Sequence, residues 1–193
     1  EPLAARLRPR SLDEGVGQRH LLDRGAAFGE MVRAGRPVSM ILWGPPGTGK
    51  TTLAWVVATE TSAAFEALSA STAGVKEVRE VLAGARQRLE DRGQRTVLFL
   101  DEIHRFSKSQ QDALLPGVEH GTVILIGATT ENPFFEVNSP LISRSTLFRL
   151  ELLAPEDVAR LVDRAVADRE RGVGETVSGI DEEARSVLAE LGD

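Results

Sequence analysis

The spacing of apolar positions changes several times along the chain, and each change predicts an element. Val38–Trp43 (VSMILW) is a short continuous apolar run that ends at Gly44-Pro45-Pro46-Gly47, the pattern of a buried strand feeding a turn. Thr51–Ala58 reads as helix and Ala64–Leu68 as a short strand. Val75, Val78, Leu82, Ala85 and Leu89 form the one-sided stripe of an amphipathic helix over Val75–Glu90. Thr96–Leu100 (TVLFL) and Thr122–Ile126 (TVILI) are two further buried strands, with a helix predicted between them at Ser109–Glu119. Leu147–Leu150 is a weaker strand, and His20–Ala34 reads as a helix ahead of the first strand.

Strands separated by helices imply βαβ units and a parallel sheet covered on both faces. The expected fold is α/β, a five-stranded parallel sheet sandwiched by helices, over residues 1–153. After Pro155 the strand pattern stops. Asp157–Arg171 and Asp181–Leu191 read as two helices, the second capped by Asp181, so residues 154–193 are expected to begin a separate helical part.

Composition sharpens this picture in three ways. Among 193 residues there is no cysteine, which excludes disulfides, thiol catalysis and cysteine-based metal centres. The net charge of −6 argues against a broadly basic nucleic-acid surface, and it is unevenly placed: residues 1–150 carry +1 and residues 151–193 carry −7. No apolar run is long enough to span a bilayer, and the first ten residues, EPLAARLRPR, lack the apolar centre of a signal peptide. The chain therefore reads as a cytoplasmic protein with no membrane partner, and as a piece of a longer one.

The strongest chemical signal is Gly44-Pro45-Pro46-Gly47-Thr48-Gly49-Lys50-Thr51, which fits G-x-x-x-x-G-K-[ST] between a predicted strand and a predicted helix. Glycines let backbone N–H groups approach phosphate oxygens, and the helix N-terminus adds partial positive charge. Lys50 is expected to reach the β- and γ-phosphates of ATP and the Thr51 hydroxyl to ligate Mg²⁺. Asp101-Glu102 follow the strand Thr96–Leu100, at the edge where a parallel sheet binds ligands. Asp101 is expected to hold Mg²⁺, directly or through water, and Glu102 to polarise the attacking water. His20, His104 and His120 have no zinc-site spacing. Lys76, Arg79, Arg86 and Arg88 charge one helix, which suits a solvated face or, in a ring, a wall of a DNA channel.

The phosphate loop in the form GPPGTGKTT, running through Thr52, and the acidic strand in the form LFLDEIH resemble the AAA+ ATPases. Within them, RPRSLDEGVGQRHLL, LSASTAGVKEVR and DEIHRFSKSQQDALLPGVEHGTVILIGATTENPFFEVNSPLISR are similar to the family of bacterial replication-associated recombination protein A, which is related to the eukaryotic Werner-helicase-interacting ATPase. The resemblance implies a sensor threonine after the strand Thr122–Ile126, with Thr130 assigned and Thr129 the alternative. It implies an arginine finger at Arg144, in preference to Arg149, inserted into the ATP site of a neighbouring subunit of a homo-oligomer. It places Val16, Gly17 and Gln18 over the adenine, the alternative being a hydrophobic N-cap region before the helix His20–Ala34. It implies an ATPase acting on DNA (forks, gaps or ends), with single-stranded DNA-binding protein as a partner. A second conserved arginine of the helical part would follow Gly192-Asp193, so this part is expected to be incomplete and a C-terminal oligomerisation domain absent. Two other readings share these motifs: a Holliday-junction branch-migration motor or clamp-loader subunit, and a nucleotide-gated scaffold that recruits replication proteins.

Overall fold

A computed structural model describes residues 1–192. Five strands, β1 (Met40–Trp43), β2 (Ala64–Ser69), β3 (Thr96–Asp101), β4 (Val123–Thr129) and β5 (Thr146–Arg149), form one sheet. Its order is β2-β3-β4-β1-β5, and every neighbouring pair is parallel. The pleat sorts the apolar residues. Met40, Leu42, Val97, Phe99, Ile124 and Ile126 face one core, and Ile41, Leu98, Leu100, Val123 and Leu125 face the other. Burial on both faces is why these segments read as unbroken apolar runs instead of alternating ones.

The helices are α1 (Leu3–Arg6), α2 (Arg19–Leu22), α3 (Ala27–Arg33), α4 (Lys50–Glu60), α5 (Val75–Arg92), α6 (Lys108–Asp112), α7 (Leu115–Glu119), α8 (Pro133–Glu136), α9 (Ser139–Ser143), α10 (Pro155–Ala167) and α11 (Glu182–Leu191). Phe28 and Val32 of α3 and Leu53 and Val57 of α4 pack on the first face, while Val78 and Ala85 of α5 and Leu114 pack on the second. Helix α10 packs against α11, and the Arg185 guanidinium grips Asp163 at 2.6 and 2.7 Å between them.

Several expected boundaries move, each for a physical reason. The single helix over Ser109–Glu119 is two, α6 and α7, because Pro116 has no N–H for the Asp112 carbonyl. The helix over His20–Ala34 is interrupted between α2 and α3, where Gly25 turns the chain at φ +88°. Strand β4 runs three residues past Ile126. Gly127 there is a strand residue whose missing Cβ leaves room for Ile41 and Ile103, not a turn glycine. Helix α10 stops at Ala167, and Arg171 folds back onto Asp168. The Gly192-Asp193 pair ends on Asp193, which lies outside the described residues.

Candidate functional site

The phosphate loop leaves strand β1, which lies between β4 and β5, and enters α4 at Lys50. Gly47 and Gly49 stand at φ +75° and +94°, values that a side chain would strain, and Gly44 packs so closely on the Leu150 backbone that a Cβ would strike its carbonyl. The Gly44 N–H donates to the Thr129 carbonyl at 3.2 Å, which ties the loop to the end of β4. Lys50 Nζ donates to the carbonyls of Gly44 (2.8 Å) and Pro45 (2.7 Å) and to Thr48 Oγ1 (3.2 Å). Burial pulls the Lys50 pKa below the usual lysine value, and the nearby Asp101 charge opposes that shift.

Asp101 ends β3 at the same sheet edge, and its Oδ1 accepts the Glu102 N–H at 3.0 Å. Glu102 is left-handed at φ +55°, an uncommon conformation for a residue with a side chain, so the chain turns sharply after β3. Its carboxylate lies 3.4 Å from Arg105. Thr51 and Asp101 offer one hydroxyl and one carboxylate, hard oxygen donors that suit Mg²⁺ sharing its shell with phosphates and water.

The end of β4 separates the two threonines. Thr129 is buried; its hydroxyl is 2.8 Å from His104 Nδ1 and accepts the Glu131 N–H at 3.0 Å. Thr130 is exposed at the strand's end, its hydroxyl unpaired among the described residues. The link from His104 to Thr129 was invisible in the sequence, because it joins the turn after β3 to the end of β4, 25 residues apart.

Val16, Gly17 and Gln18 lie across the loop. Gln18 is buried, at φ +49°, and its amide is committed to backbone: Nε2 donates to Thr48 O (3.1 Å) and Glu151 O (2.5 Å), and Oε1 accepts the Glu151 N–H (2.9 Å). A Cβ on Gly17 would collide with Leu153. The Val16 N–H and C=O make no hydrogen bond among the described residues. Beside them a cavity of about 370 Å³ is walled by Leu7, Val16, Leu53, Leu161 and Val162 and opens onto Thr48, Gly49 and Thr52 of the loop. Its size and apolar walls suit a nucleotide base.

Arg144 sits elsewhere. The Thr146 N–H bonds to Ser39 O at the start of β1, so Arg144 lies at the opposite end of the strands from the phosphate loop, with the length of β1, about 13 Å at roughly 3.3 Å per residue, between them. Its guanidinium pairs with Glu119 at 2.9 Å and donates to Pro140 O at 3.0 Å. Arg149 ends β5 at the loop's own edge and covers the Trp43 ring at 5.3 Å, so Trp43 is a packing residue. On α5, Lys76, Arg86 and Arg88 pair with Glu80, Glu90 and Glu66, leaving only Arg79 of that set without an ion pair among the described residues. That favours the solvated face over the channel wall. Among the described residues no cluster of His, Cys, Asp or Glu could hold a metal, and no helix is long and apolar enough to cross a membrane.

A parallel sheet in this order, with a phosphate loop after β1 and an acidic pair after β3 two places along, defines a P-loop nucleoside triphosphatase. The model of the ATPase family associated with various cellular activities (AAA) matches residues 40–154, and the chain belongs to that family. It is 51% identical over 191 residues to the Escherichia coli K12 protein named replication-associated recombination protein A, covering 99% of this chain and 42% of that protein. It is 43% identical over 192 residues to the Dictyostelium discoideum protein named ATPase WRNIP1, covering 22% of it. Among solved structures, the Thermotoga maritima RuvB Holliday junction branch migration motor superposes with a TM-score of 0.73 at 28% identity, over 95% of this chain and 59% of that one. The chain thus spans about two fifths of the bacterial recombination proteins it resembles.

Proposed function

We propose that this chain is the nucleotide-binding core of a DNA-directed Mg-ATP hydrolase of the replication-associated recombination type, with residues 154–193 the start of its helical lid. The observation that carries the reading is the convergence of Lys50 and Thr51 with Asp101 and Glu102 at one sheet edge, beside an apolar cavity of base size. The 51% identity to replication-associated recombination protein A supports the DNA-processing part.

In this reading the loop N–H groups from Gly47 to Thr52 and the Lys50 ammonium hold the phosphates, with Lys50 exchanging its loop carbonyls for phosphate oxygens. Thr51 and Asp101 would hold Mg²⁺, which when bound would supply positive charge to offset that of the phosphates. Glu102 orients a water and takes its proton as that water's oxygen bonds to the γ-phosphorus and the bond to ADP breaks. The free Thr130 hydroxyl contacts the γ-phosphate or the water, and Thr129, already bonded to His104, supports the strand beneath. The Val16 and Gly17 backbone meets the base edge, and Gln18 braces the phosphate loop against the exit of β5. Arg144, too far from its own loop, serves the site of a second copy, where its charge offsets that developing on the transferred phosphoryl group.

The test is ATP turnover by the full-length protein on closed circular duplex, gapped or single-strand-ended duplex, and a four-way junction. Stimulation by gaps and ends is expected. Stimulation mainly by the junction would replace this reading with a branch-migration motor, which the likeness to RuvB keeps as the second reading. ATP bound without turnover on any DNA would favour the scaffold. Lys50→Ala should abolish nucleotide binding, and unchanged affinity would overturn the site.

A further inference from the structure

A second concavity, of about 560 Å³, adjoins the nucleotide cavity, shares Arg8 with it, and is lined by Arg6, Arg8, Arg10, Arg171 and Trp55. Its cations are not equivalent. The Arg171 guanidinium is spent on Glu14 and Asp168, both at 3.1 Å. Arg6, Arg8 and Arg10 form no ion pair and no side-chain hydrogen bond among the described residues. Arg6 Nε is also buried without any hydrogen-bond partner among the described residues. The indole of Trp55 is 37% exposed, held edge-on by Phe65 at 5.2 Å, so part of it stays open to the concavity. Two carboxylates, Glu1 and Glu170, lie on the rim, and neither pairs with the three free arginines. Unpaired guanidiniums together with an open aromatic surface in a concave site match phosphates joined to flat bases, the chemistry of an unpaired nucleic-acid strand. This cluster also locates positive charge that a net of −6 conceals.

We propose that this concavity binds single-stranded DNA, with Arg6, Arg8 and Arg10 on the phosphates and Trp55 against a base. The choice of DNA as ligand rests on the function proposed above; the existence of a phosphate-binding site does not.

The experiment measures fluorescein-labelled oligo(dT) binding to the full-length protein by anisotropy across a salt series, with ATP turnover followed in the same preparations. Arg6→Ala/Arg10→Ala leaves Arg8, which also lines the nucleotide cavity, untouched. Losing two phosphate contacts should reduce the salt slope by about 1.4, at roughly 0.7 per contact for single strands, and weaken binding about tenfold. Trp55→Leu should weaken binding about fivefold or more and leave the salt slope unchanged. Arg6→Lys/Arg10→Lys should keep most of the slope, and basal turnover without DNA should stay at the wild-type rate in all three. Should the alanine pair melt early, Arg6→Gln/Arg10→Gln replaces it.

Unchanged affinity and slope in the arginine variants would overturn the site while DNA-stimulated turnover by the wild type left the proposed function standing. Equal losses on duplex of the same sequence would overturn the assignment to single strands. Competition by inorganic pyrophosphate at matched phosphate concentration, with no effect of Trp55→Leu, would reduce the concavity to a free-anion site and overturn the proposal. Failure of the wild type to bind oligo(dT) would overturn it together with the DNA part of the function, with ATP turnover still testing the hydrolase.

Discussion

Substitution of Gln18 gives a graded test of how the nucleotide segment is braced. Its side chain makes three hydrogen bonds, to Thr48 and twice to Glu151, from a buried position. At about 1 kcal/mol net for each, Gln18→Ala should cost about 3 kcal/mol. In a protein of this size that lowers the melting temperature by roughly 6–12 °C. Gln18 also holds φ at +49°, where a Cβ costs about 1–2 kcal/mol and glycine is free of it. Gln18→Gly should therefore be about 1 kcal/mol less harmful than Gln18→Ala. Gln18→Glu keeps the shape but removes the donor facing two carbonyls and adds a negative charge beside them, so it should be the worst of the three. Denaturant unfolding of each variant, with fluorescent ADP titration alongside, measures the order. Alanine and glycine variants of equal stability, or a glutamate variant as stable as wild type, would refute the reasoning. All three should also weaken ADP, because the loop carbonyl at Thr48 loses its anchor.

Glu102→Gln should retain ATP affinity and lose turnover by about 10²-fold or more, seen as ATP-bound protein that does not release phosphate. Arg144→Ala should bind ATP normally and lose turnover in the oligomer; mixing it with a Lys50→Ala subunit should restore part of it if the arginine acts between copies. Thr130→Val should slow hydrolysis and leave the melting temperature unchanged, while Thr129→Val should lower the melting temperature by breaking the buried link to His104. The Glu14 carboxyl is held below its usual range by the Arg10 backbone N–H and then by Arg171, and Asp163 by Arg185, so both contribute stability above the ordinary carboxylate pKa and lose it as pH falls below. Melting temperature recorded from about pH 5 down to 3 should thus fall more steeply for wild type than for Glu14→Gln/Asp163→Asn, whose lost partners make it less stable at neutral pH.

The chain's local chemistry was legible before its shape. Continuous apolar runs in β1, β3 and β4 specify strands buried on both faces, because only a sheet covered by helices hides both rows of side chains. The phosphate loop was legible for a similar reason: amides that cradle phosphate need glycine at fixed points in a short contiguous stretch. Sequence failed where one residue type serves two purposes. The strand expected to end at Ile126 continues through Gly127, which makes room for Ile41 and Ile103, and this moves Thr129 from beyond the strand into the buried end of β4. Pro116 looked compatible with one helix and divides two.

Contacts between distant segments were decided by tertiary structure alone. The sheet order places Asp101 beside Lys50, although strand patterns carry no information on which strands are neighbours. Gln18 meets Thr48 and Glu151 only because the segment after β5 and the segment before α2 close over the same loop. Arg6, Arg8 and Arg10 sit in a chain with net negative charge, and only folding reveals that among the described residues no carboxylate pairs with their guanidiniums and that Trp55 stands alongside. Periodicity and short motifs are properties of neighbouring residues, so the sequence determined the elements and the phosphate chemistry. Pairing, burial and free charge are properties of residues far apart in the chain, so they became visible only when the sheet was assembled.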